Sequence, residues 1–202
     1  MLDINSDYRT PSTATSLSSA SNLVRAVNGK SGCIGMQAPC GEGTYYPGVI
    51  YAAQAALVAA QVSGTQNVII LGDGDASAST SQMDSTNNGG VYPSVVNQCQ
   101  QAVAAAVAAA ATAAGARVYS VAYGAGSGGC DTDTKGAKAG ITACQTMQQI
   151  ASAAQFFYSD YTAAANNGSC ISASQPTSSL NQISVQIAGD LSVSRLIPDS
   201  VT

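Results

Sequence analysis

The pattern of apolar and polar positions predicts three short strands. Asn67–Leu71 and Arg117–Tyr123 are almost continuously apolar or β-branched, as strands covered on both faces usually are. Gln155–Tyr158 is predicted as a third, shorter strand. These strands are expected to form the centre of the fold.

Helical segments are predicted around these strands from their start and stop signals. The five segments are Ser16–Val27, Tyr45–Val62, Pro93–Ala114, Thr142–Ala154 and Thr177–Leu191. Alternating helices and strands indicate an α/β fold: a three-layer, Rossmann-like, mostly parallel sheet with helices on both faces. We expect one domain over residues 1–202, with a C-terminal tail at 192–202.

Composition and charge exclude several classes of function. The chain has 202 residues, a formal net charge of −4 and only seven Lys and Arg, without a basic patch that could bind nucleic acid. Histidine is absent, which excludes Ser-His-Asp and Cys-His nucleophiles and every His-ligated metal site. The two longest apolar runs, Gly48–Val62 and Val103–Gly115, are shorter than the roughly 20 residues of a membrane span, so none is expected.

Six cysteines in a chain rich in uncharged polar residues favour an oxidising location, extracellular or at the cell surface. They are Cys33, Cys40, Cys99, Cys130, Cys144 and Cys170. Cys130 and Cys144 flank one loop and are the pair most readily joined; the remaining pairing stays open, and six buried thiols are the alternative. The first residues lack the features of an export signal, so we expect the chain to be part of a longer exported protein.

An acidic loop directly after the first strand is the most informative stretch. Asp73, Asp75 and Ser77 leave the strand's carboxyl end together, with glycines between them. Carboxylate and hydroxyl oxygens are the ligands that Mg²⁺ and Ca²⁺ prefer, and α/β sheets bind ligands at this end. The alternative is a solvated loop whose Asp and Ser residues make turns.

Gly41–Leu57 and Asn67–Gly74 resemble the von Willebrand factor A (vWA) domain, most closely the bacterial vWA proteins associated with Tad/Flp pilus assembly. The resemblance implies a metal-ion-dependent adhesion site built from three loops. Thr44 matches the Thr of the second loop, and Asp73 matches the Asp of the third, with Gly72 replacing the usual hydroxyl residue. Such a site would bridge Mg²⁺ or Ca²⁺ to an acidic group on a protein partner. Thr44 equally suits a helix N-cap.

The chain departs from this family at its start. The family's Asp-x-Ser-x-Ser loop and the first strand–helix units precede the matching region, so we expect a degenerate cation site. The sheet would also have an exposed edge, through which two copies could associate. In a second alignment, Asp75-Ala-Ser77-Ala-Ser79 supplies the first loop, with Thr142 and Asp160 for the other two.

Weaker signals concern glycines, acidic residues and tyrosines. Ala125–Gly129 is similar to a hydrolase nucleophile elbow but has no histidine to activate its serine, and Asp131–Lys135 lacks the spacing of an EF-hand, so neither is assigned a role. Four tyrosines are candidates for the rim of the site or for half-buried packing. They are Tyr45, Tyr46, Tyr92 and Tyr161.

Two functions follow as hypotheses. The first is a non-enzymatic, extracytoplasmic vWA-like binding or adhesion module, related to pilus assembly or to the cell surface. The alternative is a divalent-metal-dependent hydrolase of esters, lactones or amides, in which a metal at Asp73 and Asp75 activates a bound water.

Overall fold

A computed structural model describes residues 15–16, 18–21, 44–60, 66–79, 95–112, 116–162 and 170–193. The chain divides into two compact units. The first contains Met1–Thr44 and Ala78–Pro93, and the second contains Tyr45–Ser77 and Ser94–Thr202. In the described part of the first unit, Ser21 is buried and donates its N–H to the Ser18 carbonyl oxygen at 3.1 Å. All the helices and strands below lie in the second unit.

Four α-helices and three strands follow one another along the second unit. In chain order they are α1 (Tyr46–Ala60), β1 (Asn67–Gly72), α2 (Gln98–Thr112), β2 (Arg117–Tyr123), α3 (Ala143–Ile150), β3 (Phe157–Asp160) and α4 (Leu180–Val193). A 3-10 turn at Ala154–Phe156 precedes β3. Among the helices that the structure describes, none has the length and apolar character to cross a membrane.

The three strands form one parallel sheet in the order β1-β2-β3. Asn67 pairs with Arg117 at the start of the first pair of strands, and Ser120 pairs with Phe157 at the start of the second. Parallel neighbours need a crossover connection, which α2 provides between β1 and β2 and α3 between β2 and β3. The predicted α/β, Rossmann-like architecture is confirmed.

One face of the sheet packs against α1, α2 and α3. Val68, Ile70 and Val118 point to this face and form one buried cluster with residues of all three helices. α2 contributes a row of alanines, and their short side chains let the helix lie close to the sheet. They are Ala102, Ala105, Ala106 and Ala109, all buried.

The opposite face packs against α4. Tyr119, Val121 and Tyr158 lie on this face because side chains alternate along a strand, and they form a second cluster with Ile183 and Ile187 of α4. Helices therefore cover both faces, as the sequence predicted.

The first strand is an edge of the described sheet. Its side chains on the α4 face, Ile69 and Leu71, remain about half exposed, at 49% and 50%. They line an apolar cavity of about 190 Å³ beside Val121 and the α4 residues Ile183 and Leu191. The exposed edge and the association of two copies through it stay predictions.

Some predicted boundaries are wrong. Within Ser16–Val27, the described residues 16 and 18–21 form bends and a turn rather than a helix. The helix predicted from Pro93 begins at Gln98, because Asn97 has a left-handed φ of 61°. The third strand begins two residues late because Ser152 bonds to both backbone groups of Val118, after which the 3-10 turn leads into β3.

Two disulfides join Cys99 to Cys130 and Cys144 to Cys170. The predicted Cys130–Cys144 pair is therefore wrong. Cys130 faces the first turn of α2, since the loop that follows it folds against that turn. Cys144 lies in the first turn of α3 and faces the segment after β3. Cys33 and Cys40 lie outside the described residues.

Candidate cation site

The acidic loop and a glycine-rich loop meet at the carboxyl end of the sheet. Residues 73–77 follow β1 and residues 124–129 follow β2, and because the strands are parallel both loops leave the same end. Between them lies a solvent-open pocket of about 190 Å³. Its lining consists of Asp73, Asp75, Gly124, Gly126, Gly128, Gly129 and Ala143.

Tyr46, the first residue of α1, fixes the start of the acidic loop. Its hydroxyl donates to Asp73 Oδ1 at 3.1 Å and accepts the Gly74 N–H at 3.0 Å. Burial, together with the Asp73 and Asp75 charges, raises the pKa of Tyr46 although the Gly74 N–H opposes this, so the phenol stays protonated and remains a donor. A Cβ on Gly72 would collide with the Tyr46 hydroxyl. With Tyr46 in this position, glycine is the residue that fits at position 72.

Gly74 places the loop tightly against α3. Its φ of +86° is one that only glycine adopts readily, and a Cβ there would overlap the Ala143 backbone and approach Met147. The backbone conformation between Asp73 and Asp75 is therefore fixed. The Asp75 N–H also donates to Asp73 Oδ1 at 3.3 Å.

Asp75 is the more enclosed carboxylate. Its Oδ1 accepts the Asp131 N–H at 3.2 Å. Burial raises the pKa of Asp75, the Asp131 N–H lowers it, and the nearby Asp131 and Asp73 carboxylates raise it further, so the net shift is upward. A raised carboxyl pKa means that the ionised carboxylate is poorly stabilised here, and a bound cation would stabilise it.

The carboxylates retain oxygens that a ligand could use. Among the described residues, the Tyr46 hydroxyl and the Asp75 N–H donate to Asp73 Oδ1, and the Asp131 N–H donates to Asp75 Oδ1, so each of these bonds uses one of the two oxygens of its carboxylate. The other lining residues are glycines and Ala143, which contribute no charge and no bulk. Oxygen ligands on glycine-rich loops suit a hard divalent cation with water completing its coordination.

The first turn of α3 borders the pocket but does not offer it free donors. Thr142 forms a capping box with Gln145. The Ala143 and Cys144 N–H groups donate to the Gly128 and Gly126 carbonyl oxygens at 3.2 and 3.3 Å. Since these amides are used, the pocket has the character of a cation site rather than of an anion site.

The remaining predicted ligands are Ser77, in the second unit, and Thr44, in the first. Ser77 belongs to the same loop but is exposed and does not line the pocket. Thr44 is half-buried two residues before α1 and belongs to the first unit, so its position relative to the carboxylates is not described. Of the four tyrosines, Tyr46 contacts the site and Tyr45 donates to Gln101 Oε1 at 3.0 Å. Tyr161 is half-buried after β3 and does not line the pocket, and Tyr92 lies outside the described residues.

The second alignment of the three loops would use Thr142 and Asp160 as cation ligands, and both side chains already have structural roles. Asp160 accepts the Leu180 N–H on Oδ2 at 2.9 Å and the Thr162 N–H on Oδ1 at 3.1 Å. Thr142 accepts the Gln145 N–H at 3.0 Å. Each group holds the start of a helix or a turn, and neither residue lines the pocket.

The disulfide Cys99–Cys130 lies directly beneath the acidic loop. Both sulfurs are 3.5 Å from the Gly74 carbonyl oxygen, and both lie within 4.8 Å of an Asp75 carboxylate oxygen. The sulfurs are bonded to each other here, so they offer no thiolate to a metal. In this oxidised form they position the loop.

Sequence reasoning missed the glycine-rich loop and the backbone of Asp131. The signal for the first was present, because Gly124–Gly129 follows a predicted strand of the same parallel sheet as the acidic loop. The contribution of Asp131 depends on its N–H, which no sequence pattern reveals.

No family model, no curated protein and no solved structure matches this chain. The relationship to the vWA domain therefore stays a prediction that rests on the residues quoted above.

Proposed function

We propose that this protein is a non-enzymatic binding module in which Asp73 and Asp75 hold Mg²⁺ or Ca²⁺. The cation would present an open coordination position to an acidic group of a protein partner. The observation that carries the proposal is the pair of carboxylates that face one solvent-open pocket while their Oδ1 atoms are fixed by Tyr46 and Asp131.

The composition of the pocket supports binding rather than hydrolysis. Apart from the two carboxylates, the described lining consists of glycines and Ala143, which cannot donate a proton to a leaving group. Metal-dependent hydrolases often place a general acid or base beside the metal-bound water, and among the described lining residues only the two carboxylates could act as one.

The location of the protein forms part of the proposal. Two disulfides are compatible with an extracellular protein. We extend this to a bacterial cell surface and to a role related to pilus assembly, on the strength of the sequence resemblance alone.

The direct test is calorimetric titration of EDTA-treated protein with Mg²⁺ and with Ca²⁺. Asp73→Ala removes one of the two carboxylates. Asp190→Asn is the charge control, because it neutralises an exposed carboxylate on α4 and keeps an oxygen that can accept from the Tyr158 hydroxyl. We expect saturable one-site binding that weakens at least about tenfold in Asp73→Ala and stays unchanged in Asp190→Asn.

A thermal-shift measurement gives a second readout. A cation at about 100 times its dissociation constant should stabilise the wild type by roughly 2.7 kcal/mol. Equal stabilisation of wild type and Asp73→Ala, or no saturable binding to the wild type, would contradict the proposal.

A further inference from the structure

The acidic loop also lies against the Cys99–Cys130 disulfide, which has no part in the magnesium proposal. We infer that reduction of the Cys99–Cys130 disulfide creates a zinc site formed by the two thiolates and the Asp75 carboxylate. The occupant is a soft or borderline divalent metal such as Zn²⁺, and the reductant is a dithiol.

The spacing of the three ligand atoms carries this inference. One carboxylate oxygen of Asp75 and the two sulfurs all lie within 4.8 Å of one another. Zinc bonds of about 2.3 Å to sulfur and 2.0–2.2 Å to oxygen put tetrahedral neighbours about 3.5–3.8 Å apart. Once the sulfur–sulfur bond is broken, the sulfurs need to separate only to that distance.

A fourth oxygen already faces the sulfurs. The Gly74 carbonyl oxygen is 3.5 Å from Cys99 Sγ and 3.5 Å from Cys130 Sγ. Both separations match those expected of tetrahedral neighbours at a zinc ion. This carbonyl or a water completes the coordination.

The surroundings suit a pair of thiolates bound to a metal. The Thr146 hydroxyl lies 3.4 Å from Cys130 Sγ and 2.9 Å from the Thr142 carbonyl oxygen, so it can turn its proton toward a thiolate. Both cysteines are buried, which protects the metal–sulfur bonds, whereas Asp75 lines the open pocket and provides a route of entry.

The second disulfide lacks this arrangement and provides an internal control. Among the described residues, the group of Asp75, Cys99 and Cys130 is the one that meets the geometric requirement for metal ligands. Reduction of Cys144–Cys170 therefore yields two thiols for which the described part of the chain offers no carboxylate in ligand position.

The chemistry balances in two steps. A thiolate of the dithiol attacks one protein sulfur, and its second thiol then resolves the mixed disulfide; two electrons pass to the protein, which gains two thiols, and the reductant becomes a disulfide. Zn²⁺ then replaces the two thiol protons, which are released to solvent, and binds the Asp75 carboxylate.

The experiment uses the full chain, reduced with dithiothreitol under anaerobic conditions, freed of reductant and titrated with Zn²⁺ against a chelating dye. Co²⁺ is the spectroscopic probe, since thiolate ligation gives a sulfur-to-cobalt charge-transfer band. We expect reduced wild type to bind one Zn²⁺ and to show this band with Co²⁺, and oxidised protein to show no such band.

Variants identify the ligands. Asp75→Asn leaves every cysteine in place and should weaken zinc binding by at least about tenfold, the loss that even an outer partner of a metal ligand can cause. The double variant Cys99→Ser/Cys130→Ser should lose the site, whereas Cys144→Ser/Cys170→Ser should keep it. Asp73→Asn should also keep it, although it weakens Mg²⁺ binding under the proposed function, so the two proposals fail separately.

Three results would overturn the inference: no zinc bound by reduced wild type, an unchanged affinity in Asp75→Asn, or an equal loss in the two double-cysteine variants. Far-ultraviolet circular dichroism of each reduced variant shows whether it remains folded. If the double variants unfold, the comparison between wild type and Asp75→Asn decides the question alone.

Discussion

Two sets of aspartates in this protein use the same side chain in different ways. Asp73 and Asp75 face a solvent-open pocket with their Oδ1 atoms fixed. Asp133 and Asp160 are buried, and both oxygens of each accept N–H groups at 2.9–3.1 Å. The first pair is available to a ligand, whereas the second pair holds the fold together.

Asp133 shows how a loop residue can cap a distant helix. Its Oδ2 accepts the Cys99 N–H and its Oδ1 accepts the Gln100 N–H, both at 3.0 Å, in the first turn of α2. The negative charge also lies at the positive end of the helix dipole. An acidic side chain in a polar loop is therefore no guide to function until its hydrogen bonds are known.

The largest effect on stability is expected for Asp133→Ala. The substitution leaves two N–H groups at the start of α2 without their acceptor, which should lower the free energy of unfolding by about 2–4 kcal/mol. Urea denaturation measures this loss. Asp131→Ala, in the same loop but exposed, should change stability by less than about 0.5 kcal/mol. Equal losses in both variants would contradict the assignment.

A smaller loss is expected for Asp160→Ala. This carboxylate accepts the Leu180 N–H at the start of α4, so its removal should cost about 1–2 kcal/mol in the same measurement. Mg²⁺ binding should persist, because Asp160 does not line the pocket. Loss of cation binding at unchanged stability would favour the second alignment of the loops.

The smallest effect concerns Asp75 and depends on pH. The pKa of Asp75 is raised in the folded protein, so its ionised form lowers stability at pH values above the folded pKa. This penalty fades as the pH falls through the folded pKa, and it is absent below the unfolded value of about 3.9. In EDTA, Asp75→Asn should therefore be more stable than wild type at neutral pH, by less than about 1 kcal/mol because the group is partly exposed.

Denaturation curves between pH 3 and 8 test this sign, and saturating Mg²⁺ should reverse it, since the cation stabilises the wild type more than Asp75→Asn. An advantage of Asp75→Asn that grows as the pH falls would contradict the raised pKa. Asp73→Asn shows whether the effect is specific to the more enclosed carboxylate.

The long apolar runs were the easiest part of the fold to predict. The strand predicted at Arg117–Tyr123 has the bounds of β2. A continuous run of β-branched and aromatic residues favours a strand that is buried on both faces. The start of α2 was misplaced because it depends on Asp133, more than 30 residues later. The pairing of Cys130 with Cys99 depends on that same contact and was equally hidden.

The sequence by itself determined the α/β architecture, the position of the acidic loop after a buried strand, and the absence of histidine chemistry. Periodicity and composition are local properties, and they decide which segments become strands and helices. The tertiary structure alone decided which aspartates remain available to a ligand. It also placed the Tyr46 hydroxyl against Gly72 and brought the Cys99–Cys130 sulfurs beneath Asp75. These juxtapositions arise because parallel strands bring the loops at their carboxyl ends together, however far apart those loops lie in the chain.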